Sequence, residues 1–126
     1  MERVRFITHQ GQQVLLIDHS HSTPAEILKT LAEVEDLVKT QPEASVLTLC
    51  DFTGADIDKQ SADRMKVVAT KDRPYVRCSA FVGTDDLPEV YYRAMVSFSA
   101  RDFPCFKSRE EALDWLVSQD KRQAAS

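Results

Sequence analysis

The stretch from Ser45 to Gly54, Ser-Val-Leu-Thr-Leu-Cys-Asp-Phe-Thr-Gly, constrains the fold more than any other part of the chain. Six residues with the character of a buried strand run into an acid, an aromatic, a hydroxyl and a turn-forming glycine. A helical pattern begins at about Asp58. A strand that ends in a polar turn and feeds a helix is the repeating unit of an α/β sheet. In open sheets of that kind ligands bind beyond the carboxyl ends of the strands. This junction is therefore where a site is expected.

The neighbouring segments agree. Val4 to Thr8 and Gln13 to Ile17 read as strands, and the connection His9-Gln10-Gly11-Gln12 is short and contains glycine, as in an antiparallel hairpin. Val14-Leu15-Leu16-Ile17 is apolar on both faces, which places it inside the sheet. Thr23, Pro24 and Glu26 form a capping box with proline at the first helical position. Ile27, Leu28, Leu31, Val34, Leu37 and Val38 then recur at helical spacing, and Pro42 closes the element.

Asp58 opens a second helix to about Thr70, burying Met65, Val68 and Ala69, and Arg73-Pro74 stops it. Val76 to Val82 is the fourth strand, ended by Gly83-Thr84. Asp86 is expected to cap a third helix whose apolar face is Val90, Tyr91, Ala94, Met95 and Phe98. After a short strand near Pro104–Phe106, Ser108 and Glu111 make a second capping box. The helix they open should bury Ala112, Leu113, Trp115 and Leu116. The tail from about 120 to 126 is expected to fray.

The order is β-β-α-β-α-β-α-β-α: one α/β domain over residues 1–126, with a five-stranded mixed sheet. In the fourth strand Val76, Cys78, Ala80 and Val82 alternate with Arg77, Ser79 and Phe81, and in the third Val46, Thr48 and Cys50 alternate with Leu47 and Leu49. Such faces leave room for a partly covered sheet surface, suited to a groove or to a second copy of the chain. The alternative is that Arg77 snorkels from beneath a helix.

Composition narrows the function classes. The net charge is −4 and the basic residues are interspersed with acids, whereas nucleic-acid binding calls for a clustered basic face. Cys50, Cys78 and Cys105 offer neither a disulfide framework nor a CxxC pair. The charged start Met1-Glu2-Arg3-Val4-Arg5 lacks the apolar core of a secretion signal, and no apolar run is long enough to span a bilayer. The expectation is a cytoplasmic protein without metal or cofactor.

The elements and motifs together resemble the STAS-like superfamily, in particular its SpoIIAA-like (STAS/SEC14 domain) branch. The resemblance rests on Val14-Leu15-Leu16-Ile17-Asp18, on Ser45 to Gly54, on Arg73-Pro74-Tyr75-Val76-Arg77, on Gly83, and on Glu110-Glu111-Ala112-Leu113-Asp114-Trp115-Leu116. It implies repeated right-handed βα turns after an antiparallel strand, and a regulatory or binding module rather than an enzyme. In anti-sigma-factor antagonists of this fold a serine at the start of the second helix is phosphorylated within an Asp-Ser-Ser-Gly-type motif. Here Asp58 falls at the acid, Lys59 and Gln60 replace the serines, and Ser61 is the nearest hydroxyl.

Asp18, Asp51, Thr84 and Lys107 lie near strand ends, as do the acids, hydroxyl and lysine of a receiver domain, where lysine would neutralise a phosphoryl group beside Mg²⁺. Asp18 is followed by His19 rather than by a second acid, and strand-end acids are common turn formers. His19 and His21 share one side if the segment is extended, yet a metal needs three or four ligands. None of Cys50, Cys78 and Ser61 lies in a nucleophile motif. Tyr91, Tyr92, Phe98, Phe103, Phe106 and Trp115 fit a core better than a pocket.

No catalytic residue is therefore assigned. The candidate binding surface for a protein partner or small ligand joins Asp18, Asp51, Thr53, Gly54 and Thr84, with Ser61 the candidate phosphorylation site. The second reading is a phosphoacceptor or small enzyme on the same rim.

Overall fold

In the computed structural model residues 2–125 are described, with side chains through 119. The strands are β1 (Val4–His9), β2 (Gln12–Asp18), β3 (Val46–Asp51), β4 (Val76–Val82) and β5 (Cys105–Phe106). The helices are α1 (Pro24–Val38), α2 (Lys59–Asp72), α3 (Glu89–Ser99) and α4 (Arg109–Ala125). The sheet order follows the chain, β1-β2-β3-β4-β5. β1 is antiparallel to β2 and the other neighbours are parallel. The expected tail at 120–126 falls on positions whose side chains lie outside the described residues.

Sequential parallel strands with right-handed crossovers place every connecting helix on one face. There α1, α2 and α3 enclose a core of Leu15, Ile17, Ile27, Leu31, Val34, Phe52, Met65, Phe81 and Phe103. Only α4, which follows the last strand, is free to cross to the other face. It seats Ala112 and Leu116 on Val14, Leu16, Leu47, Leu49, Ala80 and Val82.

Helices thus lie on both faces, and what stays open of the partly covered surface expected there is a cleft of about 320 Å³ that reaches Arg77 and Ser79 at the amino-terminal end of β4. Ser79 and Phe81 are buried, and Phe81 belongs to the core beneath α1–α3. A register shift between β3 and β4 pairs Val46 with Val76 but Leu47 with Cys78, so Arg77 is the extra residue. The bulge turns Val76 to the face opposite Cys78, Ala80 and Val82. Arg77 donates through Nε to the Ala44 carbonyl at 3.0 Å.

The α1 cap forms in full: Glu26 N–H donates to Thr23 Oγ1 at 3.2 Å, and the Glu26 carboxylate accepts from Thr23 N–H at 3.0 Å. The third helix departs from expectation. Thr84–Asp86 is a 3₁₀ turn and Pro88 occupies the cap of α3. Starting the helix there rotates its buried stripe to Met95 and Ser99, with Tyr91, Tyr92 and Val96 half-buried, while Val90 and Phe98 are exposed. In α4, Ala112, Leu116 and Val117 are buried and Trp115 is half-buried, its ring 5.4 Å from that of Phe106.

Candidate functional site

Asp18 and Asp51 are the last residues of β2 and β3 and face each other as Cα partners. Each opens the same three-residue turn, acid-aromatic-hydroxyl. Asp18 Oδ1 accepts from Ser20 N–H at 2.9 Å and from Ser20 Oγ at 2.5 Å. Asp51 Oδ1 accepts from Thr53 N–H at 2.9 Å and from Thr53 Oγ1 at 2.7 Å. These are paired Asx turns, in which a short carboxylate satisfies the amide two residues on. The middle residues stack, His19 on Phe52 with ring centroids 5.4 Å apart. Phe52 meets the edge of Phe81 at 4.9 Å, so the rim rests on the aromatic core.

Backbone hydrogen bonds continue the parallel ladder past the strand ends. His19 N–H donates to the Asp51 carbonyl at 2.9 Å, His21 N–H to that of Thr53 at 2.8 Å, and Phe52 N–H to that of Val82 at 3.0 Å. Arg109, first residue of α4, clamps the two acids. Its Nε donates to Asp51 Oδ2 at 2.7 Å and its Nη2 lies 3.4 Å from Asp18 Oδ1. Burial pushes the Asp18 carboxyl up. The Ser20 hydroxyl and amide, with Arg109 and Arg3, outweigh that and hold it below the usual carboxylate range. Arg3 adds hydrogen bonds from Nη1 to the carbonyls of Asp18 and Ser20 at 3.1 and 2.9 Å.

Asp18, Asp51, Thr53 and Gly54 therefore come together. Thr53 and Gly54 are exposed, whereas both acids are buried. Thr84 starts the 3₁₀ turn after β4, half-exposed. Asp86 serves the rim, accepting from Gly54 N–H at 2.8 Å. Two glycines permit this packing. Gly54, at φ +66°, would place a Cβ 2.3 Å from His21 Nδ1, and Gly83, at φ +68°, would place one 2.4 Å from the Thr53 backbone nitrogen.

Ser61 is not on the rim surface. It is fully buried as the third residue of α2, its N–H and hydroxyl donating to Asp58 Oδ1 at 2.8 Å each while its Oγ accepts from Asp58 N–H at 3.0 Å. Phosphorylation at that atom would require the first turn of α2 to open, so Ser61 is part of the fold rather than of a surface. Ser61→Ala keeps the bond from the residue-61 amide to Asp58 and removes only those of the buried hydroxyl, so it should destabilise by about 1 kcal/mol, the net worth of a hydrogen bond, read as a lowered urea midpoint. A midpoint equal to the parent's would mean that the hydroxyl holds nothing.

His19 and His21 part company: His19 is buried with its Nδ1 unpartnered, and His21 is exposed. Loss of solvent pushes the His19 imidazole down to about 4 despite the raising effect of Asp18. His9 lies elsewhere, its Nε2 2.7 Å from Asp114 Oδ1. Among the described residues no three His, Cys, Asp or Glu side chains are grouped to hold a metal ion. Desolvation pushes the Cys50 thiol up to about 12, unlike an activated nucleophile.

Sequence reasoning missed Arg109, Arg3, Ser20, His21 and Asp86. One signal was available, the repeated pattern Asp18-His19-Ser20 and Asp51-Phe52-Thr53 at successive strand ends. Arg109 carried none, because Lys107 is the nearer cation to the β5 end and only the docking of α4 selects the arginine. Comparison with protein-family models, with curated proteins and with solved structures returned no match.

Proposed function

We propose that the chain is a non-catalytic binding or regulatory module of the STAS-like kind, taking a protein partner or small ligand at the strand-end rim. The observation that carries this reading is the exposed Thr53–Gly54 turn, held rigid from four sides. Asp51 bonds Thr53, His21 bonds the Thr53 carbonyl, Asp86 bonds Gly54, and Gly83 packs beneath. A surface ordered before binding loses less conformational freedom when a partner arrives.

Both carboxylate oxygens of Asp51 are engaged, by Thr53 and by Arg109, and Ser61 is enclosed in its cap. These placements give the phosphoacceptor alternative no support. Among the described residues no helix is long and apolar enough to cross a membrane.

The test pairs melts with capture from the native host's lysate. Thr53→Val and Asp86→Asn should lose at least tenfold of a partner held by the parent while melting within a few degrees of it. Variants that melt early yet retain every partner would make the rim structural and end the proposal. Phosphate-affinity electrophoresis of the same lysate should show no shifted band.

A further inference from the structure

The two edges of the sheet are built differently. β5 has two residues, whereas β1 has six and pairs with β2 without a break in register. Open edges are guarded by proline, a bulge, a very short strand or charge. β5 is guarded by its shortness. β1 has neither proline nor bulge, and Arg5 is its single fixed charge. Val4 and Phe6 pack on the core beneath α1–α3 and Ile7 on the core beneath α4, yet all three are half-buried. Apolar side chains on both faces are the pattern of a strand with a neighbour on each side.

The hairpin fixes which backbone groups are free. Gln10 and Gly11, at φ +50° and +79°, make a two-residue turn that closes on the His9–Gln12 pair. At the far end of the strand Asp18 N–H donates to the Arg3 carbonyl at 2.8 Å. Bonded pairs alternate along an antiparallel ladder. Arg5, Ile7 and His9 therefore turn their backbone groups to β2, and Val4, Phe6 and Thr8 turn theirs outward. Among the described residues no hydrogen bond reaches those outward groups.

We propose that β1 is a self-association edge, at which a second copy of this chain adds its own β1 antiparallel and joins the two sheets into one. The strand is complementary to itself in one register. A two-fold axis perpendicular to the sheet keeps each face on its own side, so outward residues must meet outward residues. Centring the axis on Phe6 uses all three: Phe6 meets Phe6 of the second copy, and Val4 meets Thr8 twice. Three bonded pairs of two hydrogen bonds each make six.

The side chains agree with that register. The two Phe6 rings form an aromatic pair across the axis on the α1 face. Arg5 stands opposite Ile7, so no like charges are directly opposed. On the α4 face the exposed Arg5 lies diagonal to His9 of the second copy, whose Nε2 is 2.7 Å from the exposed Asp114 carboxylate. The arginine thus finds an acid across the contact. Such a contact is isologous and closes at two copies, and two-residue β5 leaves little edge for further growth. The edge is separate from the Thr53–Gly54 turn, so either proposal can fail without the other.

Sedimentation equilibrium of the full chain over a wide concentration range should show the mass rising from 14.3 kDa towards twice that value. Amide hydrogen exchange followed by NMR locates the contact. Val4, Phe6 and Thr8 should exchange at least tenfold more slowly in the concentrated sample than in the dilute one, while Arg5, Ile7 and His9, bonded within the hairpin, serve as the reference. Thr8→Pro removes an outward donor from an exposed edge residue, so its melt should stay within a few degrees of the parent's while self-association weakens tenfold or more. Arg5→Glu sets an acid beside Asp114 and should weaken it threefold or more. Three results would each overturn the proposal: a mass fixed at that of one chain, which would leave the edge to a strand of another protein; a dimer whose Val4, Phe6 and Thr8 amides exchange no more slowly; or a folded Thr8→Pro as dimeric as the parent. Should Thr8→Pro not fold, the exchange comparison on the parent still decides.

Discussion

Replacing Gly83 by alanine should destabilise the protein by about 3 kcal/mol or more, part of it the roughly 1–2 kcal/mol cost of a left-handed L-residue. The remainder comes from the clash. A Cβ at Gly83 would lie 2.4 Å from the Thr53 nitrogen and 2.8 Å from its Cα. That backbone cannot step aside, because Asp51 and His21 hold Thr53 on both sides. Gly11 supplies the control, since its φ is also positive, at +79°, but no atom lies within 4 Å of the added methyl. Gly11→Ala should cost about 1 kcal/mol. Gly54→Ala should fall between them, because the obstructing atoms belong to the exposed His21 ring, which can swing. Urea midpoints of the three variants decide the matter. Gly83→Ala no worse than Gly11→Ala would show that the rim yields freely at this point.

The second large effect is a pair of opposed pH dependences. His19 has a pKa of about 4 in the fold, against about 6.5 in an unfolded chain. Between those values the unfolded chain takes up a proton that the folded one refuses. Stability is therefore lost as pH falls from 6.5 through 4, by as much as about 3 kcal/mol. Asp72 runs the other way. Burial, only partly countered by Arg101, pushes its carboxyl up to about 7. Below that pH the folded chain holds a proton the unfolded one gives up, down to about 4. Stability is gained as pH falls through this window, by as much as about 4 kcal/mol.

The two slopes nearly cancel, and the parent should be close to flat between pH 4.5 and 7. Asp72→Asn removes one side of the balance. It should be more stable than the parent by about 1–3 kcal/mol at pH 8, where the buried carboxylate is charged, and should weaken steadily on acidification. His19→Phe keeps a ring against Phe52 and should instead strengthen as pH falls from 7 to 5. Chemical denaturation at four pH values separates the cases. Parallel curves for the parent and both variants would show that neither group titrates as its burial implies.

Much of the fold was legible because local chemistry and the global arrangement agree. Thr23, Pro24 and Glu26 announce α1 without reference to anything distant, and the doubly apolar Val14–Ile17 run belongs in a sheet interior wherever that sheet lies. The errors fall where a long-range contact set the outcome. Asp86 has a helix-capping sequence around it, yet the turn at Gly83 and the cap at Pro88 leave its carboxylate free to reach Gly54. The α3 stripe reads as Val90, Ala94 and Phe98 or equally as Tyr91, Met95 and Ser99. Only the start of the helix and the Tyr92 hydroxyl bonded to the Phe103 carbonyl at 2.7 Å choose the second. The faces of β4 were misread at Val76 because one extra residue, Arg77, shifts the register and reverses the alternation on either side of it.

The site divides along the same line. The sequence by itself determined that Asp51, Thr53 and Gly54 stand at the carboxyl end of a buried strand, since a largely apolar run from Val46 to Cys50 followed by turn chemistry has few other uses. It also determined that Asp18 ends a neighbouring strand. Only the tertiary structure decided that the two acids are Cα partners, that Arg109 rather than Lys107 joins them, and that Ser61 is enclosed. The physical reason is range. Caps, turns and periodicity act within about four residues, so they are written in the local sequence. The Arg109–Asp51 pair spans 58 residues, and nothing in either segment specifies it until β5 ends and α4 crosses to the second face of the sheet.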